Sequence, residues 1–152
     1  GYGIIDVQGD QATVVEQGVI RAGSGEFNAR LGVIFEGLRQ LIEEHAPAEV
    51  AVETVFVSHN AASAIKLGQA RGAAVCAAIS MGLQVAEYSP RSVKQAIVGR
   101  GAADKVQVQH MVAVLLRLAE APAEDAAEAL AVALCHQHTR QTVDRMQALQ
   151  KT

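Results

Sequence analysis

The sequence predicts an α/β domain in which a mixed five-stranded sheet is covered by helices on both faces, and three observations carry that expectation. Short β-prone runs separated by glycine-containing turns crowd the first 21 residues, as in a meander. Beyond them, strand-like runs alternate with segments whose apolar residues recur every three or four positions. Hydrophobic residues make up 50% of the chain and aromatics only 3%, so the core must be built of Ala, Val, Leu and Ile.

Taken in order, Tyr2 to Val7, Ala12 to Val15 and Gly18 to Arg21 read as three strands. Phe27, Leu31, Ile34, Phe35, Leu38, Leu41 and Ile42 form the stripe of an amphipathic helix that stops near Pro47. Glu49 to Phe56 is a strand. Asn60 has the right chemistry to cap a long helix from Ala61 to about Met81, which Gly82 terminates. Gln84 to Tyr88 is the next strand, and Ser89-Pro90 opens a short helix through Ile97 with proline at its first position. Helices follow from Asp104 to Leu118 and, after Pro122, from Asp125 to about His138. The expected organisation is one domain over residues 1–138 and a polar tail over 139–152. This order is that of a ribonuclease-H-like domain. A Rossmann reading competes less well, because no G-x-G-x-x-G loop follows the first strand.

At 152 residues, one domain buries roughly 68–70% of its unfolded surface. The apolar stretch Gly72 to Gly82 is too short to span a bilayer and the N-terminus does not read as a signal peptide, so no membrane partner and a cytoplasmic location are expected. Cys76 and Cys135 read as reduced thiols. Cys135-His136-Gln137-His138 spreads its side chains over different helix faces and has no second Cys/His group, which argues against zinc. The net charge of −3 is unevenly spread: no acid lies between Glu53 and Glu87, where Lys66 and Arg71 stand, and Arg91, Lys94, Arg100 and Lys105 face only Asp104. A basic side is available for a polyanion, or is a solvated face.

Two acidic features carry the chemistry. Glu53 ends an apolar strand, and Asp125 and Glu128 leave one helix face at i, i+3. Carboxylates converging at the carboxyl edge of a sheet are what hard divalent cations and phosphoryl chemistry require. Asp125 fits a second reading equally well, as the N-cap of the last helix after Pro122.

Four separated stretches resemble a known family. Asn60-Ala61-Ala62-Ser63-Ala64-Ile65-Lys66-Leu67-Gly68-Gln69-Ala70-Arg71-Gly72, Val93-Lys94-Gln95-Ala96-Ile97-Val98-Gly99, Lys105-Val106-Gln107-Val108-Gln109-His110-Met111 and Asp125-Ala126-Ala127-Glu128-Ala129-Leu130-Ala131 are similar to RuvC, the bacterial Holliday-junction resolvases, in order and with similar gaps. The resemblance runs from Gly1 to about His138. It implies an endonuclease of recombination and repair that hydrolyses phosphodiesters in four-way junction DNA, with two Mg²⁺ or Mn²⁺ ions per site. It further implies a homodimer packed through the long helix and a branch-migration helicase partner of the RuvA and RuvB type. By motif position it implies Glu53, Asp125 and Glu128 as metal ligands, Lys94 and Lys105 as catalytic basic residues near the scissile phosphate, and Phe56 as an aromatic inserted at the junction. Asn60, Lys66 and Arg71 join these as expected DNA contacts.

Three departures qualify the match. Members of the family begin with a strand ending in Asp-Pro-Gly-Ser that supplies a further carboxylate and the centre of the sheet; it is expected ahead of Gly1, since its loss would leave neighbouring strands without ladder partners. Glu128 stands where Asp is usual, and Val57-Ser58-His59 replaces a segment that usually holds Met and a basic residue. His110 reads as a surface or capping residue, and His136 and His138 lie a turn or more beyond Glu128. A junction-binding protein with an incomplete nuclease site is the alternative function.

Overall fold

The computed structural model describes residues 1–55 and 60–150. The elements are β1 (Tyr2–Gln8), β2 (Gln11–Gly18), α1 (Phe27–His45), β3 (Val50–Glu53), α2 (Ala61–Ser80), β4 (Val85–Tyr88), α3 (Pro90–Val98), α4 (Lys105–Leu115) and α5 (Glu124–Gln150). They fall into two compact units, one of Gly1–Gly18 with Pro90–Thr152 and the other of Val19–Ser89.

The expected five-stranded sheet is corrected. The described residues hold four strands in two pairs, an antiparallel β1–β2 hairpin and a parallel β3–β4 pair. The difference has one cause: the separate strand expected over 18–21 does not form. Instead β2 runs unbroken to Gly18, with Val15 bulged out where the register slips between Ile4 and Ile5.

In the first unit the hairpin packs on α5, and α3 and α4 pack on α5 and on each other. Val93 and Ile97 of α3, Val108 and Val112 of α4, and Ala126, Ala127, Leu130, Ala131 and Leu134 of α5 are buried together. The i, i+4 spacing of each pair puts them on one helix face, and the alanines let α5 approach its neighbours closely. Gly3 is required by that approach, since a Cβ there would meet Leu130 at 2.7 Å. Helix α4 ends at Leu115, one turn before the expected Leu118. The Arg117 and Leu118 amides turn back to the carbonyls of Val114 and Ala113, closing the helix with Arg117 at φ 53°. Conversely α5 runs on to Gln150, so residues 139–150 are polar but helical. Gln141 donates to the Gly9 carbonyl at 3.0 Å and Arg145 pairs with Asp10 at 2.9 Å, tying that stretch to the hairpin turn.

In the second unit α1 and α2 pack together, and α2 is the crossover that a parallel β3–β4 pair demands. Both helices start or stop as the sequence predicts. Asn60 accepts a hydrogen bond from the Ser63 amide at 3.2 Å at the α2 start. At its end Gly82 takes φ 77°, which lets the Gly82 and Leu83 amides cap the Ile79 and Ala78 carbonyls. Helix α1 closes through a left-handed Ala46 just before Pro47. Among the described residues, no helix is long and apolar enough to cross a membrane.

Candidate active site

Helix α5 begins at Glu124, so Asp125 lies inside its first turn and the N-cap reading is set aside. The Ala127 amide donates to the Ala123 carbonyl at 2.8 Å, closing that turn. Asp125 and Glu128 are exposed, while Ala126, Ala127 and Leu130 between and behind them are buried. The turn that carries the two acids is therefore anchored by packing. Acids there are also favoured by the positive end of the helix dipole.

A cation reaches this turn from α4. Asp104 accepts from the Gln107 amide at 2.8 Å while Gln107 Oε1 accepts from the Asp104 amide at 3.1 Å, a capping box that fixes the helix start. Gln109 donates to the Pro122 carbonyl at 2.6 Å and ties α4 to the connection before α5. Lys105, the first residue of α4, then places Nζ 2.5 Å from Glu124 Oε1 and 3.0 Å from Glu128 Oε1. Its hydrogen bonds to Glu124 first, and to Glu128 next, hold the ammonium proton well above the usual lysine range. An oxygen-only, anionic donor set that already draws one cation suits a hard divalent ion. Among the described residues, no three His, Cys, Asp or Glu side chains gather closely enough to hold a metal.

Glu53 belongs to the other unit, at the end of β3 and in register with Tyr88 of β4. The Thr54 amide continues the ladder to the Tyr88 carbonyl at 2.8 Å. Arg71 of α2 reaches the same strand end: Nε donates to the Glu53 carbonyl at 3.0 Å. Its Nη2 lies 2.7 Å from Glu87 Oε1, an ion-pair contact that is not aligned as a hydrogen bond.

Of the other expected contacts, Asn60 caps α2 and Lys66 sits over the Phe27 ring at 5.9 Å. Lys94 is half-buried on α3, and His110 is exposed on α4. Phe56 and the Val57-Ser58-His59 departure lie outside the described residues. Sequence reasoning missed Glu124 and Glu87. Glu124 is four positions before Glu128, a spacing that puts both on one face, so periodicity held the signal. Glu87 had none, because its partnership with Arg71 depends on how α2 lies across two strands.

Carboxylates and a lysine at a helix start, in an α/β scaffold with a hairpin and a parallel pair, define a ribonuclease-H-like nuclease domain. The family described as crossover junction endodeoxyribonuclease RuvC matches residues 1–136. The chain belongs to this family. A crossover junction endodeoxyribonuclease RuvC of Teredinibacter turnerae is 54% identical over 151 residues, covering 96% of this chain and 85% of that protein. One of Methylococcus capsulatus is 55% identical over 146 residues, covering 96% and 88%. Among solved structures, T. thermophilus RuvC in complex with Holliday junction substrate is similar with a TM-score of 0.84 and 33% identity, covering 92% of this chain and 87% of that one.

Proposed function

We propose that the chain resolves four-way DNA junctions by metal-dependent hydrolysis of phosphodiester bonds, in recombination and repair. The observation that carries this reading is the exposed Asp125 and Glu128 pair, with the Lys105 ammonium against Glu128, in a chain matched by the RuvC family from residue 1 to 136. Glu53, Asp125 and Glu128 would hold the divalent ions. When bound there, two Mg²⁺ or Mn²⁺ ions supply a polarised water and neutralise the leaving oxygen.

The chain's own residues do the rest. Lys105 presents a permanent positive charge beside the α5 acids, where an incoming phosphate would be met; Lys94 adds a second cation on α3. Asn60 and Lys66 stand on α2 as the further DNA-facing pair, and Phe56 is the aromatic offered to the crossover. Glu128 carries one methylene more than Asp, which lengthens the reach of that ligand. A homodimer would cut two symmetric strands, and the exposed Ile65, Leu67 and Ile79 of α2, on a helix rich in Ala and Gly, support a second copy packing there. A branch-migration helicase of the RuvA and RuvB type, a cytoplasmic location and a nuclease domain over 1–138 with an accessory polar helix beyond it complete the reading.

The test is cleavage of a synthetic four-way junction. Glu53→Gln and Asp125→Asn are each expected to abolish cleavage while junction binding persists, because the amide keeps the shape and loses the charge that holds the cation. Near-normal cleavage by Glu53→Gln would remove the nuclease reading from this set of residues. Binding without cleavage by the unaltered chain at saturating Mg²⁺ or Mn²⁺ would favour the junction-binding alternative.

A further inference from the structure

We infer that Arg71 is a positioning residue for Glu53, acting with Glu87 to hold the carboxyl end of β3, and is not a phosphate contact. The inference rests on the reading of Glu53 as a ligand. Arg71 approaches from α2 and makes two contacts, a hydrogen bond from Nε to the Glu53 carbonyl at 3.0 Å and an ion-pair contact of Nη2 with Glu87 at 2.7 Å. A guanidinium presents donors in a rigid fork, so two such contacts set its orientation and that of both partners. The side chain is only 24% exposed, and its charge is committed to Glu87.

The register places the two acids on opposite faces of the pair. Glu87 pairs with Val52, and Glu53 with Tyr88. Successive side chains of a strand point to opposite faces, so the Glu53 carboxylate projects from the face opposite Glu87. Arg71 thus grips the Glu53 backbone at its carbonyl. The strand needs the help, because β3 has four residues and none of them is buried. At its carboxyl end the ladder continues from the Thr54 amide to the Tyr88 carbonyl, and Arg71 holds the Glu53 carbonyl.

The partner Glu87 makes the inference testable. A phosphate contact and a positioning role predict opposite results. Arg71→Met, Arg71→Lys, Glu87→Gln and Glu53→Gln would be assayed for single-turnover cleavage at saturating DNA and metal, and for junction binding as a function of salt in EDTA. Positioning predicts that Arg71→Met loses about ten- to a hundredfold in cleavage rate, since a small displacement of a reacting group has that scale of cost. Glu87→Gln would lose part of the same factor, and Arg71→Lys, which keeps the charge but not the fork, would resemble Arg71→Met. In EDTA the logarithmic salt slope would be unchanged in all three. Thermal unfolding identifies any variant that has simply lost its fold, and Glu87→Gln, on an exposed partner, then carries the test alone.

The inference is overturned if Arg71→Met lowers the salt slope by about one unit, the mark of a lost phosphate contact. It is equally overturned if Glu87→Gln cleaves at the unaltered rate or faster, as removal of a repelling acid near DNA would cause. Should Glu53→Gln cleave normally, the ligand reading fails first. Loss of cleavage in Glu53→Gln with normal rates in the Arg71 and Glu87 variants would sink the positioning role alone.

Discussion

The two units hold their acids by different physical means. In the first, Asp125 and Glu128 ride on a helix whose inner face is buried against α3, α4 and the hairpin, with Leu130, Leu134 and Val112 almost completely enclosed. In the second, Ala77 and Ala78 are the buried hydrophobic residues among those described, and α1 has none. Glu53 there ends a short parallel ladder, and an arginine reaches across to its carbonyl. Packing positions one set of carboxylates and directional polar contacts position the other. Polar contacts between part-exposed groups are individually weak, so the second unit should be the more sensitive to changes that leave its apolar residues alone.

The largest effect expected from this contrast is in the first unit. Leu130→Ala removes a side chain with no exposed surface and should cost about 2–5 kcal/mol in urea unfolding. Leu67→Ala on α2, at a position 58% exposed, should change stability by less than about 0.5 kcal/mol. Equal costs at the two sites would break the contrast.

Thiol reactivity gives a sharper version without mutation. Cys135 is 2% exposed, and burial pushes its thiol up, outweighing a hydrogen bond from Thr139 that acts the other way. Cys76 on α2 is exposed. A thiolate-selective reagent should modify Cys76 in the native protein and Cys135 only on unfolding. Two equally fast thiols would mean that the α5 core opens more readily than its packing indicates.

A smaller effect is expected at the α2 start. Asn60→Ala removes the acceptor for the Ser63 amide and should cost about 1 kcal/mol, seen as a lower melting temperature. If it instead weakens junction binding at unchanged stability, Asn60 faces DNA as well as capping the helix.

The smallest stability effect is expected at Lys105. Its pKa in the folded protein is raised above the unfolded value, so whatever stability the pairing contributes is fully present below the unfolded pKa and lost only as pH rises through the folded one. Its side chain is 65% exposed, and water screens the pair heavily. Between about pH 6 and 9, Lys105→Met should leave the unfolding midpoint unmoved while cleavage falls. A marked loss of stability would show that the lysine ties α4 to α5 structurally.

Local signals were legible wherever the physics is local. The α1 stripe from Phe27 to Ile42 is the less exposed side of that helix, though none of it is buried. Asn60, Gly82 and Pro47 mark helix ends because capping depends on a few neighbouring residues. The apolar strand end at Glu53 and the i, i+3 acids of α5 were also visible. Less legible were the extents of α4 and α5. Arg117 stops α4 in a conformation that a non-glycine residue rarely takes, and polar residues 139–150 stay helical through contacts with the distant Gly9 and Asp10.

By itself, then, the sequence determined the element order, most helix boundaries, an Ala-Val-Leu-Ile core and the acids that define the chemistry, because periodicity, capping and side-chain type act over a few residues. Only the tertiary structure decided that four strands pair as two separate sheets, that Lys105 faces Glu124 and Glu128, and that Arg71 turns to the Glu53 backbone and Glu87. Those outcomes join residues 16 to 23 positions apart on different elements, or strands whose partners no local pattern names, and they arise from how helices cross strands and from which charges that crossing brings within reach.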